Sequence, residues 1–235
     1  MNYIGEHLWA AELGRGLTAF SFVFALLSTY AYYTKADGWK TIGRLAFRVH
    51  AITLFGLIGT LFFIMANHYF EFDYVWKHTS LDLPPRYLFS AFWEGQEGSF
   101  LLWMFWNAIL GWILTYTAKD FEGPVVGVFA AVQAFLVSMI LGIWIGDLQL
   151  GYSPFNLVRE LPENLGLPWT QFEDYLTRFP NFMDGSGLNP LLQNYWMTIH
   201  PPTLFLGFSS TLVPFSYAIA GLLRKDYTSW IASAL

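Results

Sequence analysis

Cysteine is absent from the 235 residues. That removes disulfides, thiol nucleophiles and thiolate-held metal or iron–sulfur centres within the chain. Charge is scarce as well: 12% of residues are charged, the net charge is −5, and no basic patch occurs, which excludes nucleic acid as a partner. The start of the chain lacks a basic stretch followed by a short apolar core and a small-residue cleavage site. Glu6 and Glu12 stand there instead, so no cleavable signal peptide is expected. Internal repeats and low-complexity tracts are also missing. What is abundant is apolar surface. Hydrophobic residues make up 55% of the chain and aromatic ones 20%, with 23 Phe, 13 Tyr and 11 Trp. A soluble core of this size needs far less, and the balance points to a membrane protein.

Apolar runs of roughly 20 residues are long enough to span a bilayer as helices. They predict an all-α integral membrane protein, a single membrane domain over 1–235 with about five transmembrane helices. The expected spans are 8–33, 46–70, 100–118, 125–145 and 202–223. Between them lie two long loops, 71–99 and 146–201, expected to contain short interfacial helices. The second loop carries Tyr152, Phe155, Trp169, Phe172, Tyr175, Phe179 and Phe182, which argues against disorder. Lys35, Lys40, Arg44, Arg48, Lys119, Arg224 and Lys225 crowd the short connections and the tail, whereas the long loops hold only Lys77, Arg86, Arg159 and Arg178. By the positive-inside rule the N-terminus and both long loops are expected outside and the C-terminus in the cytoplasm.

With no thiolate available, histidine and methionine are the remaining soft ligands. His200 stands at the mouth of the fifth run and is followed by Pro201 and Pro202. Proline disfavours helix for the residue before it, so a bend or helix entrance is expected at His200. An imidazole there suits an axial heme ligand, or simply a hydrogen bond at a helix start. His68 is expected at a similar depth, while His50 and His68, on one helix, stand about 27 Å apart and cannot share a site. Trp93, Glu94, Gly95, Gln96, Glu97, Gly98 and Ser99 place an indole, two carboxylates and two glycines just before the third run. They read either as a proton or cation site or as an interfacial turn in which the glycines let the backbone approach something closely. Glu12 and Arg15, three apart, could pair on one helical face.

Two groups of strings carry a resemblance. The first is Trp93-Glu94-Gly95-Gln96-Glu97-Gly98-Ser99-Phe100-Leu101-Leu102-Trp103. The second comprises Ser153-Pro154-Phe155, Gly185-Ser186-Gly187-Leu188-Asn189-Pro190-Leu191-Leu192-Gln193 and Ile199-His200-Pro201-Pro202-Thr203-Leu204-Phe205-Leu206-Gly207. In order and spacing the chain resembles the CcmF-type cytochrome c heme lyases, including the NrfE branch. The resemblance implies a bacterial cytoplasmic (inner) membrane protein that helps attach heme to apocytochrome c. His200 would be one axial ligand of a membrane b-type heme, with Asn189, Pro190, Gln193, Pro201, Pro202 and the Trp93–Gly98 residues shaping its surroundings. It also implies a heme chaperone and apocytochrome c as partners on the outer side, the remainder of the lyase or other maturation subunits as further partners, and quinol as electron donor. The family's Trp-rich heme motif, its flanking histidines and its second membrane histidine are not found in these residues. The second axial ligand is therefore expected outside this chain, and the chain alone is not expected to perform ligation. The other classes to be separated from this one are a permease or exporter subunit and a structural assembly subunit without heme.

Overall fold

The computed structural model describes residues 3–34 and 36–234. Lys35, counted above among the basic connections, lies outside the described residues. In chain order the helices are α1 (Leu8–Tyr33), α2 (Trp39–Ala66), the short α3 (Asp73–His78) and α4 (Leu88–Glu94), then α5 (Gln96–Thr117) and α6 (Glu122–Ser138). A hairpin of β1 (Ile143–Ile145) and β2 (Leu148–Leu150) follows, then one-turn α7 (Tyr175–Arg178), α8 (Tyr195–Arg224) and α9 (Ile231–Ala234). Five helices, α1, α2, α5, α6 with its preceding turn, and α8, are long and apolar enough to cross a membrane. The all-α membrane architecture is thus present, with one small antiparallel hairpin added to it.

Small residues let the first two helices approach closely. Gly14, Thr18, Ser21, Ala25 and Ser28 form the buried stripe of α1, and Ser28 donates to the carbonyl of Gly43 on α2 at 2.9 Å. Large side chains on the other faces of α1, such as Phe20 and Val23, stay exposed, as a lipid-facing surface requires.

Several boundaries differ from those expected. The second helix starts at Trp39 rather than 46 because Gly38, at φ 81°, supplies the left-handed turn into it. It ends at Ala66 rather than 70: Asn67 donates its side-chain amide back to Phe63 O at 2.8 Å, and His68 takes a left-handed conformation at φ 53°. The fourth run does not stay helical to 145. It stops at Ser138, and Gly142, at φ 64°, turns the chain into the hairpin where a Cβ would come within 2.9 Å of Ser153 N. The third and fifth helices begin earlier than expected, at Gln96 and Tyr195.

The two long connections pack on each other at one end of the bundle. Asp73 N donates to Asn156 O at 3.0 Å, Val158 N to Glu71 O at 2.8 Å, and Ser186 N to Trp76 O at 2.7 Å. Aromatic rings order the longer connection, as its composition suggested: Phe155 and Tyr175 are fully buried, and Trp169 meets Phe182 at 4.6 Å. The start of the chain is tied into the same layer, with Arg159 Nε donating to Glu6 at 2.7 Å and Tyr175 Oη to Glu6 at 2.9 Å. Arg15 does not pair with Glu12. It reaches across to Glu160 and donates to Phe155 O at 3.1 Å, because Phe155 packs against Gly14 and brings that connection over the first turns of α1.

Glu71 sits in this layer with its carboxylate accepting from the backbone N–H of His7 at 3.0 Å and lying 2.8 Å from His7 Nδ1. Burial nevertheless holds its carboxyl above the ordinary carboxylate range. A raised folded-state value means that the folded chain binds the proton more tightly than the unfolded one. The contribution of Glu71 to stability is therefore full below its unfolded value, about 4.3, and is lost as pH rises through the folded value. Glu71→Gln is expected to flatten this part of the stability curve, read as melting temperature in detergent between about pH 4 and pH 7.

At the opposite end Glu122 opens α6 and is almost fully buried. It accepts from Arg44 Nε at 2.7 Å and Tyr32 Oη at 3.1 Å, with Lys40 Nζ at 3.1 Å. Part of the basic cluster between the first two helices is thus a structural clamp on the fourth long one. Glu122→Gln is expected to cost about 1–2 kcal/mol, since the buried carboxylate loses its charge-assisted hydrogen bonds while Lys40 and Arg44 stay partly exposed to water. Thermal unfolding of the purified protein measures it.

Candidate functional site

The two groups of strings, well separated in sequence, both lie at the loop end of the bundle. α4 ends at Glu94, Gly95 is extended, and α5 begins at Gln96. A Cβ on Gly95 would come within 2.6 Å of Tyr74 Cε2 and 2.7 Å of His78 Nε2. A Cβ on Gly98 would collide with the carbonyl oxygen of Phe92 and the hydroxyl of Tyr74. Tyr74 Oη donates to that same Phe92 oxygen at 2.7 Å, and Ser99 Oγ to Trp93 O at 2.8 Å. The tight turn therefore exists, and both glycines serve it. Of the two carboxylates, Glu94 lies 2.9 Å from His78 Nδ1, while Glu97 stands in the first turn of α5, where a helix favours negative charge. Gln96 is exposed.

The second group builds the start of α8. Asn189 Oδ1 accepts from Leu191 N at 3.0 Å and caps a single turn that begins at Pro190. Gln193 Nε2 donates to Leu188 O at 3.0 Å. Asn194 then caps α8, its side chain accepting from Met197 N at 3.1 Å. His200, Pro201 and Pro202 consequently lie inside the helix, more than a turn beyond its start. The helix entrance expected at His200 lies earlier, at Tyr195. Pro201 cannot donate to the carbonyl four residues back, that of Met197. The indole of Trp93 fills the gap, Nε1 donating to Met197 O at 2.8 Å. Beside it Ser90 Oγ and Thr198 Oγ1 are 2.9 Å apart. A neighbouring helix thus supplies what the prolines remove, as membrane helices commonly require. Nothing in the strings alone pairs Trp93 with Met197, because the match is between a side chain and a carbonyl.

His200 itself is exposed, and its ring makes no hydrogen bond or ion pair with any described residue. On the same face Thr203 and Gly207 are also exposed, and a Cβ on Gly207 would meet nothing within 4 Å. The other histidines are engaged differently. His50 is fully buried, with Nδ1 3.0 Å from Ser21 Oγ and 2.9 Å from Ser21 O. His7 stacks on Tyr69 at 3.6 Å, and His68 lies 5.7 Å from the ring of Phe70. Among the described residues no three His, Asp or Glu side chains gather as a metal-holding group. A cavity of about 790 Å³ opens between Arg15, Tyr152 and Glu160, and neither His200 nor the Trp93–Gly98 turn lines it.

Residues 93–232 match the family described as Cytochrome C assembly protein. The chain belongs to that family. It is similar to the cytochrome c-type biogenesis protein CcmF of Escherichia coli, 31% identical over 92% of this chain and 31% of that protein. CcmF of Haemophilus influenzae is 29% identical over 93% of this chain and 31% of its own length. The probable cytochrome c-type biogenesis protein NrfE of Escherichia coli is 28% identical over 79% and 29%. A solved structure of the cytochrome c heme lyase CcmF superposes with a TM-score of 0.72 at 22% identity, covering 96% of this chain and 32% of that one. The resemblance first carried by the motif strings is therefore one of family and of fold. The chain spans about a third of the length of these family relatives.

Proposed function

We propose that the chain is part of a cytochrome c heme lyase and that His200 supplies one axial ligand to a membrane b-type heme. The observation that carries this reading is the exposed imidazole of His200, unpaired among the described residues and held on a helical turn that both groups of family strings cooperate to build. The donor set fits half of such a site. An imidazole nitrogen suits heme iron, and the open space beside Gly207 on the same face leaves room for a flat group, but one histidine fills one axial position. The second ligand comes from outside this chain. When bound, the heme supplies one-electron transfer toward the heme being attached, with quinol as electron donor. This chain's residues hold and orient. His200 binds, Trp93, Ser90 and Asn194 fix the helix that carries it, and the packed connections at the loop end form the surface for a heme chaperone and apocytochrome c. Ligation joins each heme vinyl group to a cysteine thiol of the apocytochrome, and this chain contains no cysteine to contribute. The bias of Lys and Arg toward the short connections supports an orientation with the loop end outside and the C-terminus in the cytoplasm, and the family resemblance supports a bacterial inner membrane. The test is the reduced pyridine hemochrome of the purified complete assembly. A b-type signal that depends on His200 supports the reading. A heme-free assembly returns the chain to a permease or structural role.

A further inference from the structure

We infer that the middle of the bundle holds an internal water site, built by His50 of α2, Asn107 of α5 and Gln133 of α6. It stands independently of what the loop end binds. One close contact puts the three residues in a common layer. A Cβ on Gly111 of α5 would press on the rings of Phe47 of α2 and Phe129 of α6. Asn107 lies one turn before Gly111, His50 one turn after Phe47, and Gln133 one turn after Phe129. α5 starts at the loop end and runs toward the Glu122 end, whereas α2 and α6 run away from it, so all three steps lead to the same depth. Gln133 Nε2 accordingly donates to the carbonyl of Met104, the turn next to Asn107, at 3.0 Å. All three side chains are fully buried. The kind of partner they need follows from their hydrogens. His50 Nδ1 is 2.9 Å from Ser21 O, an atom that only accepts, so the neutral ring carries its hydrogen there and presents Nε2 as an acceptor. Among the described residues His50 Nε2, Gln133 Oε1 and both side-chain atoms of Asn107 have no partner. Three acceptors thus face one donor group, and the fitting ligand is a small molecule that donates hydrogen bonds. Water does so with two O–H groups. A metal cation fits poorly, because none of the acceptors is charged. Asn107 also gives access. With Trp103, Val132, Phe208 and Thr211 it lines a cavity of about 370 Å³ on the α8 side, and Val132 adjoins Gln133. A water occupies about 30 Å³, so the cavity has room for several. Polar side chains inside a membrane bundle turn toward such cavities because a bare buried amide is costly. Water bound here joins Ser21, His50, Gln133 and Asn107 into one hydrogen-bonded set across four helices, and gives His50 a proton-exchange partner in mid-membrane.

The test is magic-angle-spinning NMR of the complete assembly in lipid bilayers, with isotope-labelled histidine and magnetisation passed from water protons to the rings. The His50 signal is identified by its loss in His50→Phe and, independently, by its shift in Ser21→Ala. It is expected to show hydrogen on Nδ1 and an Nε2 that receives magnetisation from water. Asn107→Leu and Gln133→Met are each expected to lose that transfer while the hydrogen stays on Nδ1. Leucine is close to asparagine in size, so Asn107→Leu also separates a wet layer from a bare one by melting temperature. The temperature falls if the amide bonds water and rises if the amide is bare. A His50 ring out of reach of water in the parent protein overturns the inference. So does transfer that persists in both variants, or a melting temperature raised by Asn107→Leu. A His50 signal that shifts when sodium chloride replaces choline chloride overturns it as well, since a sodium ion would then occupy the layer.

Discussion

His200→Ala in the complete assembly is expected to lower b-type heme content by at least about tenfold, because even changes one shell removed from a metal cost roughly 10–100-fold. The reduced visible spectrum and pyridine hemochrome measure it. What makes this variant informative is its structural silence. His200 is exposed and makes no hydrogen bond to any described residue, and the helix around it is held by Asn194, Ser90 and Trp93 instead. Its removal should therefore leave the melting temperature of the heme-free protein within the range of an ordinary surface change, about 0.5 kcal/mol. Heme loss with unchanged apo stability identifies a ligand. Unchanged heme would mean that the imidazole is a spectator on a lipid- or partner-facing surface.

Gly98→Ala is expected to be the most damaging single-methyl addition in the family strings. The new Cβ would overlap the carbonyl oxygen of Phe92 and the hydroxyl of Tyr74, which already bond to each other at 2.7 Å. Neither can step aside cheaply. One is backbone at the end of α4, and the other belongs to a ring that is buried. Overpacking of this kind costs about 3 kcal/mol or more when the obstructing atom is fixed. The expected outcome is a sharply lower yield of folded protein and a lower melting temperature, together with a displaced Trp93 and hence weaker heme retention. Gly207→Ala is the control for folding and stability. Its Cβ meets nothing within 4 Å, and replacing a mid-helix glycine by alanine stabilises a helix by up to about 1 kcal/mol. If both variants behaved alike, tight packing would not be what requires glycine at position 98.

Much of the fold follows from patterns that are local in the chain. Long apolar runs have few ways to satisfy their backbone except as helices, so five of them declare themselves. Their ends are less visible because they depend on single residues in unusual conformations: Gly38 and Gly142 at positive φ, and His68, whose left-handed backbone no pattern announces. Arg15 shows the same limit for charge. Its spacing from Glu12 suggests a pair along one helix, yet a carboxylate 145 positions away takes it, because an ion pair forms with whichever partner the packing of Phe155 on Gly14 brings near.

For the candidate site, composition and strings determined what kind of group is present: an imidazole beside two prolines, a glycine-bearing turn with an indole, no thiolate, and a family to which they belong. Only the tertiary structure decided that the imidazole lies within a continuous helix and not at its entrance. The proline rule is a statement about one chain and its own backbone donors. It gives way when a neighbouring element supplies the missing donor, and the Trp93 indole, 104 residues from Met197 in sequence, is that neighbour.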